Sequence, residues 1–202
     1  MIWQSTQQGW FLAVNRFARA TPALHAPMRI YAEYGVVLFA AILLLSWWRT
    51  RGDHDSRTMA AALWAPVGTL LAVGLNQPLV NGFREARPYT ALPHALVLVS
   101  RSTDYSFPSD HAVMAGAVAM GVLLTNRRLG VVTAVAALVM AFTRVYVGAH
   151  FPLDVVVGLL FGAAVSLLGW LASRALLVAV VNQLTRTPLR PLLTSSGPDV
   201  AT

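Results

Sequence analysis

The chain has 202 residues, of which 56% are hydrophobic and only 11% charged, and its mean hydropathy is +0.60. Soluble domains carry about 25% charged residues, so these figures exclude a soluble enzyme and leave room for one membrane domain of roughly five or six spans of about 20 residues. The 15 basic residues are all arginine and set a net charge of +7, which reads as loop orientation and phosphate binding and not as a nucleic-acid patch; the absence of cysteine excludes disulfides and thiol catalysis.

The N-terminal stretch lacks an early basic region and a cleavable apolar core, so it reads as retained and not as a signal peptide. Over residues 2–20, Ile2, Trp3, Trp10, Phe11, Val14 and Phe17 recur among Gln, Asn and Arg. The spacing predicts an amphipathic helix lying in the membrane interface, or a short surface helix packed on the bundle. "TPALHAP" (21–27) is a breaker. The first span is expected at about 30–48 and ends on the interfacial pair Trp47 and Trp48. A polar loop, 49–57, leads to a second span at about 58–80, where Pro66 and Pro78 predict kinks.

A long connection, about 81–108, carries Arg84, Arg87, Arg101 and several prolines. The third span, about 109–124, is short and rich in Ala and Gly, and "TNRRLG" (125–130) is a tight basic turn. The fourth span covers about 130–147 and the fifth about 152–172, with "ALLVAVV" (175–181) extending the last helix. The expected architecture is all-α: a bundle of about five transmembrane helices plus an N-terminal amphipathic helix. A single membrane-embedded domain covers 1–185, and a disordered cytoplasmic tail covers 186–202.

Five spans place alternate connections on opposite sides. Eight arginines (Arg49, Arg51, Arg57, Arg127, Arg128, Arg174, Arg186 and Arg190) fall on one side and seven on the other. Setting aside Arg87 and Arg144, which belong to a candidate site, leaves eight against five. The positive-inside rule then puts the eight-arginine side in the cytoplasm and the 81–108 connection outside.

Three polar clusters fall on that outer side: "REARPY" (84–89), "SFPSDH" (106–111) and "TRVYVGAHFPLD" (143–154). Ionisable groups at span ends mark function by default. Ser109 stands where the third helix begins; it reads as an N-cap, and equally as part of an anion cradle made with the free amides of a helix start. Asp110 suits the positive end of a helix. His111 follows and can point at the same anion. Arg87 and Arg144 offer planar forks of donors for phosphate oxygens; snorkelling to lipid head groups is the plainer use. Pro152 fits a first helical turn and puts Asp154 just inside it, four residues from His150. Asp154 can then orient the His150 ring and leave its other nitrogen free. Zinc ligation by His111, His150 and Asp154 is a rival use, opposed by two arginines that would repel a cation.

The set "ARP", "PSDH" and "R-x5-H-x3-D", in this order and over about 81–154, resembles the three-part signature of the type 2 phosphatidic acid phosphatase superfamily. The "PSDH" form, the "E-x-RP" of the first part and the small size resemble its bacitracin-resistance group of bacterial undecaprenyl pyrophosphate phosphatases. Two positions depart from the pattern. The family's first part begins with Lys seven residues before the Arg of Arg-Pro, and that position is Val80 here, so either Arg84 supplies the missing charge or the site works with one cation fewer. The third part usually begins Ser-Arg and reads Thr143-Arg144.

The resemblance implies these roles: His150 as nucleophile forming phosphohistidine, Asp154 as its orienting partner, and His111 as proton donor and then water activator. Arg87, Arg144, Ser109 and Arg84 bind the phosphate. No metal or other cofactor is expected. The substrate is a membrane lipid phosphate, with a polyprenyl (undecaprenyl) diphosphate foremost and phosphatidic acid or phosphatidylglycerol phosphate also compatible. A lipid phosphotransferase, or a lipid-binding or transport protein with a decayed site, are the rival functions. The expected location is the bacterial plasma membrane, multi-pass, with the site facing the extracytoplasmic side.

Overall fold

The computed structural model describes residues 2–53 and 55–195. Helix α1 (Ile2–Ala20) is followed by a short 3-10 turn (Pro22–Leu24). Then come α2 (His25–Thr50), α3 (Ser56–Phe83), the single turn α4 (Pro88–Ala91), α5 (Asp110–Thr125), α6 (Arg127–Tyr146), α7 (Pro152–Leu184) and α8 (Arg190–Leu193). The expected all-helical membrane bundle is present. Among the described residues, four segments are long and apolar enough to cross a membrane: those carrying α2, α3, α6 and α7. The third predicted span, α5, has 16 residues and so measures about 24 Å, short of the roughly 30 Å of hydrocarbon.

Helix α5 sits at the centre of the bundle, against α2, α3, α6 and α7. Its small residues make this possible. A Cβ on Gly116 would collide with the Leu159 carbonyl of α7, and one on Gly162 of α7 with the Val113 carbonyl of α5. Backbones approach this closely only where side chains are small. Local chemistry fixes the helix starts. The Asp55 carboxylate accepts from the amides of Arg57 and Thr58, both at 3.1 Å, and so caps α3. Asn126 ends α5 and caps α6 through the Leu129 amide at 2.9 Å. Pro66 and Pro78 both lie inside the continuous helix α3.

The outer faces of the bundle are lined with exposed Leu, Val and Phe, among them Val37, Leu70, Leu138 and Leu160. A soluble core would bury such residues, whereas lipid solvates them.

Helix α1 packs on the bundle. Phe11 and Ala18 are fully buried, and Phe11 meets the Phe151 ring at 5.5 Å. Trp10 and Phe17 stay exposed on its other face. The Asn15 side chain both donates to the Leu96 carbonyl (2.9 Å) and accepts from the Leu96 amide (3.0 Å). It thereby holds the long connection onto α1.

At the far end, α7 runs unbroken for 33 residues, about 50 Å. Its apolar extension is covered: Val181 packs with Met59, Trp170 and Leu193. Residues 186–195, expected to belong to a disordered tail, pack on the bundle in this structure. Leu193 is buried, Trp47 donates to the Leu192 carbonyl at 3.1 Å, and Arg51 donates to the Pro191 carbonyl at 2.6 Å. Apolar Leu193 and the free carbonyls around it give this segment partners that a polar reading overlooks. Residues 196–202 lie outside the described residues.

Candidate active site

Three chain segments meet at one end of the bundle: the long connection, the start of α5 and the turn between α6 and α7. Each is placed by backbone chemistry. Arg87 precedes a proline, which drives it to extended backbone (φ −67°, ψ 156°) and starts α4. Ser109, also extended, is the residue before α5. Gly148, at φ +79°, reverses the chain after α6 in a conformation that favours glycine. The Arg144 carbonyl then accepts the amides of Ala149 (3.1 Å) and His150 (3.3 Å).

These segments enclose a cavity of about 390 Å³ lined by Arg87, His111, Arg144 and His150, with Glu33 and Asp104 on its wall. Five of the predicted residues thus stand together: these four, and Asp154 directly behind His150. The His150 ring is fixed at both nitrogens. Nδ1 lies 2.8 Å from the Ser106 carbonyl, which can only accept, so Nδ1 carries the proton. Nε2 is then the unprotonated nitrogen, and it accepts from Arg87 Nη1 at 3.3 Å. Burial, reinforced by the Arg144 and Arg87 guanidiniums, holds the imidazole well below its ordinary value of 6.5. His150 is therefore a neutral base with its lone pair directed at Arg87.

Asp154 stands at the third position of α7, fully buried. Its Oδ2 accepts the Phe151 amide at 2.9 Å and the Ser106 hydroxyl at 2.5 Å, and lies 3.4 Å from His150 Nδ1. The four-residue spacing predicts a direct imidazole–carboxylate bond. The closer partner of Nδ1 is the Ser106 carbonyl, and the carboxylate acts from just behind it. Asp154 does not line the cavity, so it does not converge with His111 and His150 as a chelating set. Among the described residues no three His, Asp or Glu side chains do so.

Two buried guanidiniums face this cavity. Arg87 is 9% and Arg144 8% exposed. Arg87 is held by Asp104, through Nε to its carbonyl (3.0 Å) and Nη2 to its carboxylate (3.2 Å), and by the Ala149 carbonyl (3.3 Å). Arg144 Nη1 donates to the Ala32 carbonyl of α2 at 3.2 Å, while its Nε is buried without a partner. The Ser109 hydroxyl, between Pro108 and Asp110 of the cavity wall, is likewise buried and unpaired, and it makes no cap bond. Unpaired buried donors cost stability unless a ligand completes them. The unpaired Nε of Arg144 points to an anion, since a cation beside two arginines would be repelled; Ser109 itself does not line the cavity. Asp110 is turned to α3, accepting from Asn76 (2.7 Å) and Gln77 (3.0 Å).

Arg84 is not brought to the cavity. It closes α3 in the left-handed region (φ 50°), and its exposed side chain folds back so that Nε donates to the Asn81 carbonyl at 3.1 Å. Substituting Arg84→Ala is therefore expected to leave kcat and KM within about two-fold of wild type, by steady-state phosphate release. A marked rise in KM would restore Arg84 to the phosphate site. Val80 is buried inside α3. Sequence reasoning also left out Ser106, Glu33 and Asp104. Ser106 lay inside the quoted "SFPSDH", but its partner Asp154 is 48 residues away, and no spacing pattern encodes that pairing.

The comparisons agree with this architecture. The PAP2 superfamily model matches residues 61–177, which contain all three clusters. The chain is 30% identical over 189 residues to the undecaprenyl-diphosphatase BcrC of Bacillus subtilis (strain 168), covering 88% of this chain and 95% of that protein. The crystal structure of LpxE from Aquifex aeolicus matches with a TM-score of 0.60 at 25% identity, over 78% of this chain and 92% of that one. The crystal structure of a PAP2 type phosphatidylglycerolphosphate phosphatase from Bacillus subtilis shares the fold, with a TM-score of 0.60 at 21% identity over 90% and 87% of the two chains. With the family's three sequence parts gathered at one cavity of a multi-pass helical bundle, this chain belongs to the PAP2 superfamily and is a membrane lipid phosphatase.

Proposed function

We propose that the enzyme hydrolyses the terminal phosphate of a polyprenyl diphosphate of the undecaprenyl type, through a phosphohistidine at His150, and so returns a cell-wall lipid carrier to use. The observation that carries this reading is the His150 ring, with its free Nε2 facing a cavity whose two buried guanidiniums call for an anion. The relative named undecaprenyl-diphosphatase, similar along 95% of its own length, supports the substrate.

The positions support the following steps. Nε2 attacks the terminal phosphorus, an N–P bond forms, and the bond to the bridging oxygen breaks. Arg87, Arg144 and the Ser109 hydroxyl take up charge on the equatorial oxygens, which is where positioning and electrostatics act in phosphoryl transfer. His111, on the cavity wall, protonates the leaving lipid phosphate and then takes a proton from the water that cleaves the N–P bond. The cavity lies at span ends, so a phosphate reaches it at head-group level while its tail stays among lipids. The arginine asymmetry supports an extracytoplasmic position for this end, at a bacterial plasma membrane.

The test is phosphate release by the purified full chain, in EDTA, from undecaprenyl diphosphate, phosphatidic acid and phosphatidylglycerol phosphate. The highest kcat/KM is expected for the diphosphate. Preference for either of the others would move the substrate assignment, and transfer to a second lipid without free phosphate would overturn hydrolysis. Full loss in EDTA, restored by Zn²⁺ or Mg²⁺, would replace the arginine account with a metal one.

A further inference from the structure

Ser106 does not line the cavity, yet it is the common partner of both members of the His150–Asp154 pair. It is fully buried. Its carbonyl accepts Nδ1–H of His150 at 2.8 Å, its hydroxyl donates to Asp154 Oδ2 at 2.5 Å, and its amide donates to the Glu85 carbonyl at 2.8 Å. A good N–H···O bond spans 2.7–3.2 Å. By that measure the imidazole proton goes to Ser106, and the carboxylate, at 3.4 Å, acts on the ring at longer range.

We propose that Ser106 is a positioning residue of the reaction: its backbone selects the nucleophilic tautomer of His150, and its hydroxyl holds the Asp154 carboxylate against the ring. The proposal rests on the phosphohistidine reading above. When Nε2 bonds to phosphorus the ring becomes cationic and Nδ1–H becomes a stronger donor. The nearby carboxylate stabilises that charge only while it stays ionised and in place. Two donors hold it, the Ser106 hydroxyl and the Phe151 amide. The amide also serves the start of α7, whereas the hydroxyl has no other bond to make. The carbonyl needs no particular side chain; the hydroxyl does. Serine at 106 is thus required for what it does to Asp154, not for the turn that carries it.

The experiment compares Ser106→Ala, Asp154→Asn and the double variant of the full chain, with undecaprenyl diphosphate as substrate. Ser106→Ala is expected to lower kcat by about 10- to 100-fold, the usual cost of removing a group that orients a reacting one, with KM within about two-fold. Because both residues act in one chain of contacts, the double variant should be no slower than Asp154→Asn alone. Wild-type kcat in Ser106→Ala, a KM effect without a kcat effect, or losses that multiply in the double variant would each overturn the proposal. If the alanine variant unfolds, Ser106→Cys, with similar volume and a weaker donor, takes its place; a wild-type kcat there overturns it equally. Phosphoenzyme trapping in His150→Ala runs alongside. If that variant still forms phosphoenzyme, the phosphohistidine reading fails. If it forms none while Ser106→Ala turns over normally, only the role of Ser106 fails.

Discussion

Substituting His150→Ala is expected to abolish turnover and the covalent intermediate together, a loss on the order of 10⁴-fold or more, as for nucleophiles that act as part of a unit. The expectation follows from the ring's surroundings. The Ser106 carbonyl fixes the proton on Nδ1, and Nε2 is left facing Arg87. No other side chain of the cavity is held this way. Rapid-quench trapping of an acid-labile, base-stable phosphoenzyme is the measurement, and normal trapping in the variant would transfer the nucleophile to another residue. The same geometry has a pH signature. His150 is held well below 6.5, first by burial and then by the two guanidiniums. As pH falls, Nε2 gains its proton, and loses its nucleophilicity, only below the range where an ordinary histidine does. An NMR titration should show one imidazole, absent from His150→Ala, that remains neutral at pH 6.5. A half-protonated ring there would contradict the site as described.

Arg144→Ala should cost about 10²- to 10³-fold in kcat/KM, the range for losing one preorganised donor to a developing oxyanion. Arg144 is the cleaner of the two arginines to test. Arg87 also ties down the long connection through Asp104 and Ala149, so its removal mixes structure with binding. Arg144 has one bond, to the Ala32 carbonyl, and a buried Nε with none. Arg144→Lys should recover little, because a point charge cannot reproduce a fork. Competitive inhibition by inorganic phosphate should weaken in parallel. An unchanged inhibition constant would remove Arg144 from the phosphate site.

Much of this was legible in the sequence, for identifiable reasons. Apolar runs bounded by arginines and prolines gave the spans, and the three polar clusters gave the cavity, because each sits where a helix begins or ends. What escaped was direction. Arg84 lies near Arg87 in the chain, but a left-handed residue closing α3 turns it outward, and composition does not announce that turn. The four-residue spacing of His150 and Asp154 implied direct pairing, whereas a backbone carbonyl from another segment stands closer. Backbone acceptors have no letter in a sequence. The packing of residues 186–195 was hidden for a related reason. Its few apolar residues carry little pattern alone, and only the overlong α7 supplies the surface that buries Leu193.

The cavity's position at the ends of helices sheathed in exposed Leu and Val has a kinetic corollary. A tail-anchored substrate approaches by sliding in the plane of the bilayer, so its encounter rate is set by molecules per unit area and not per unit volume. Saturation is then a property of mole fraction. Diluting the substrate with inert lipid, at constant bulk amount, slows the enzyme as surely as removing it, and adding more vesicles of fixed composition past the point of full insertion changes nothing.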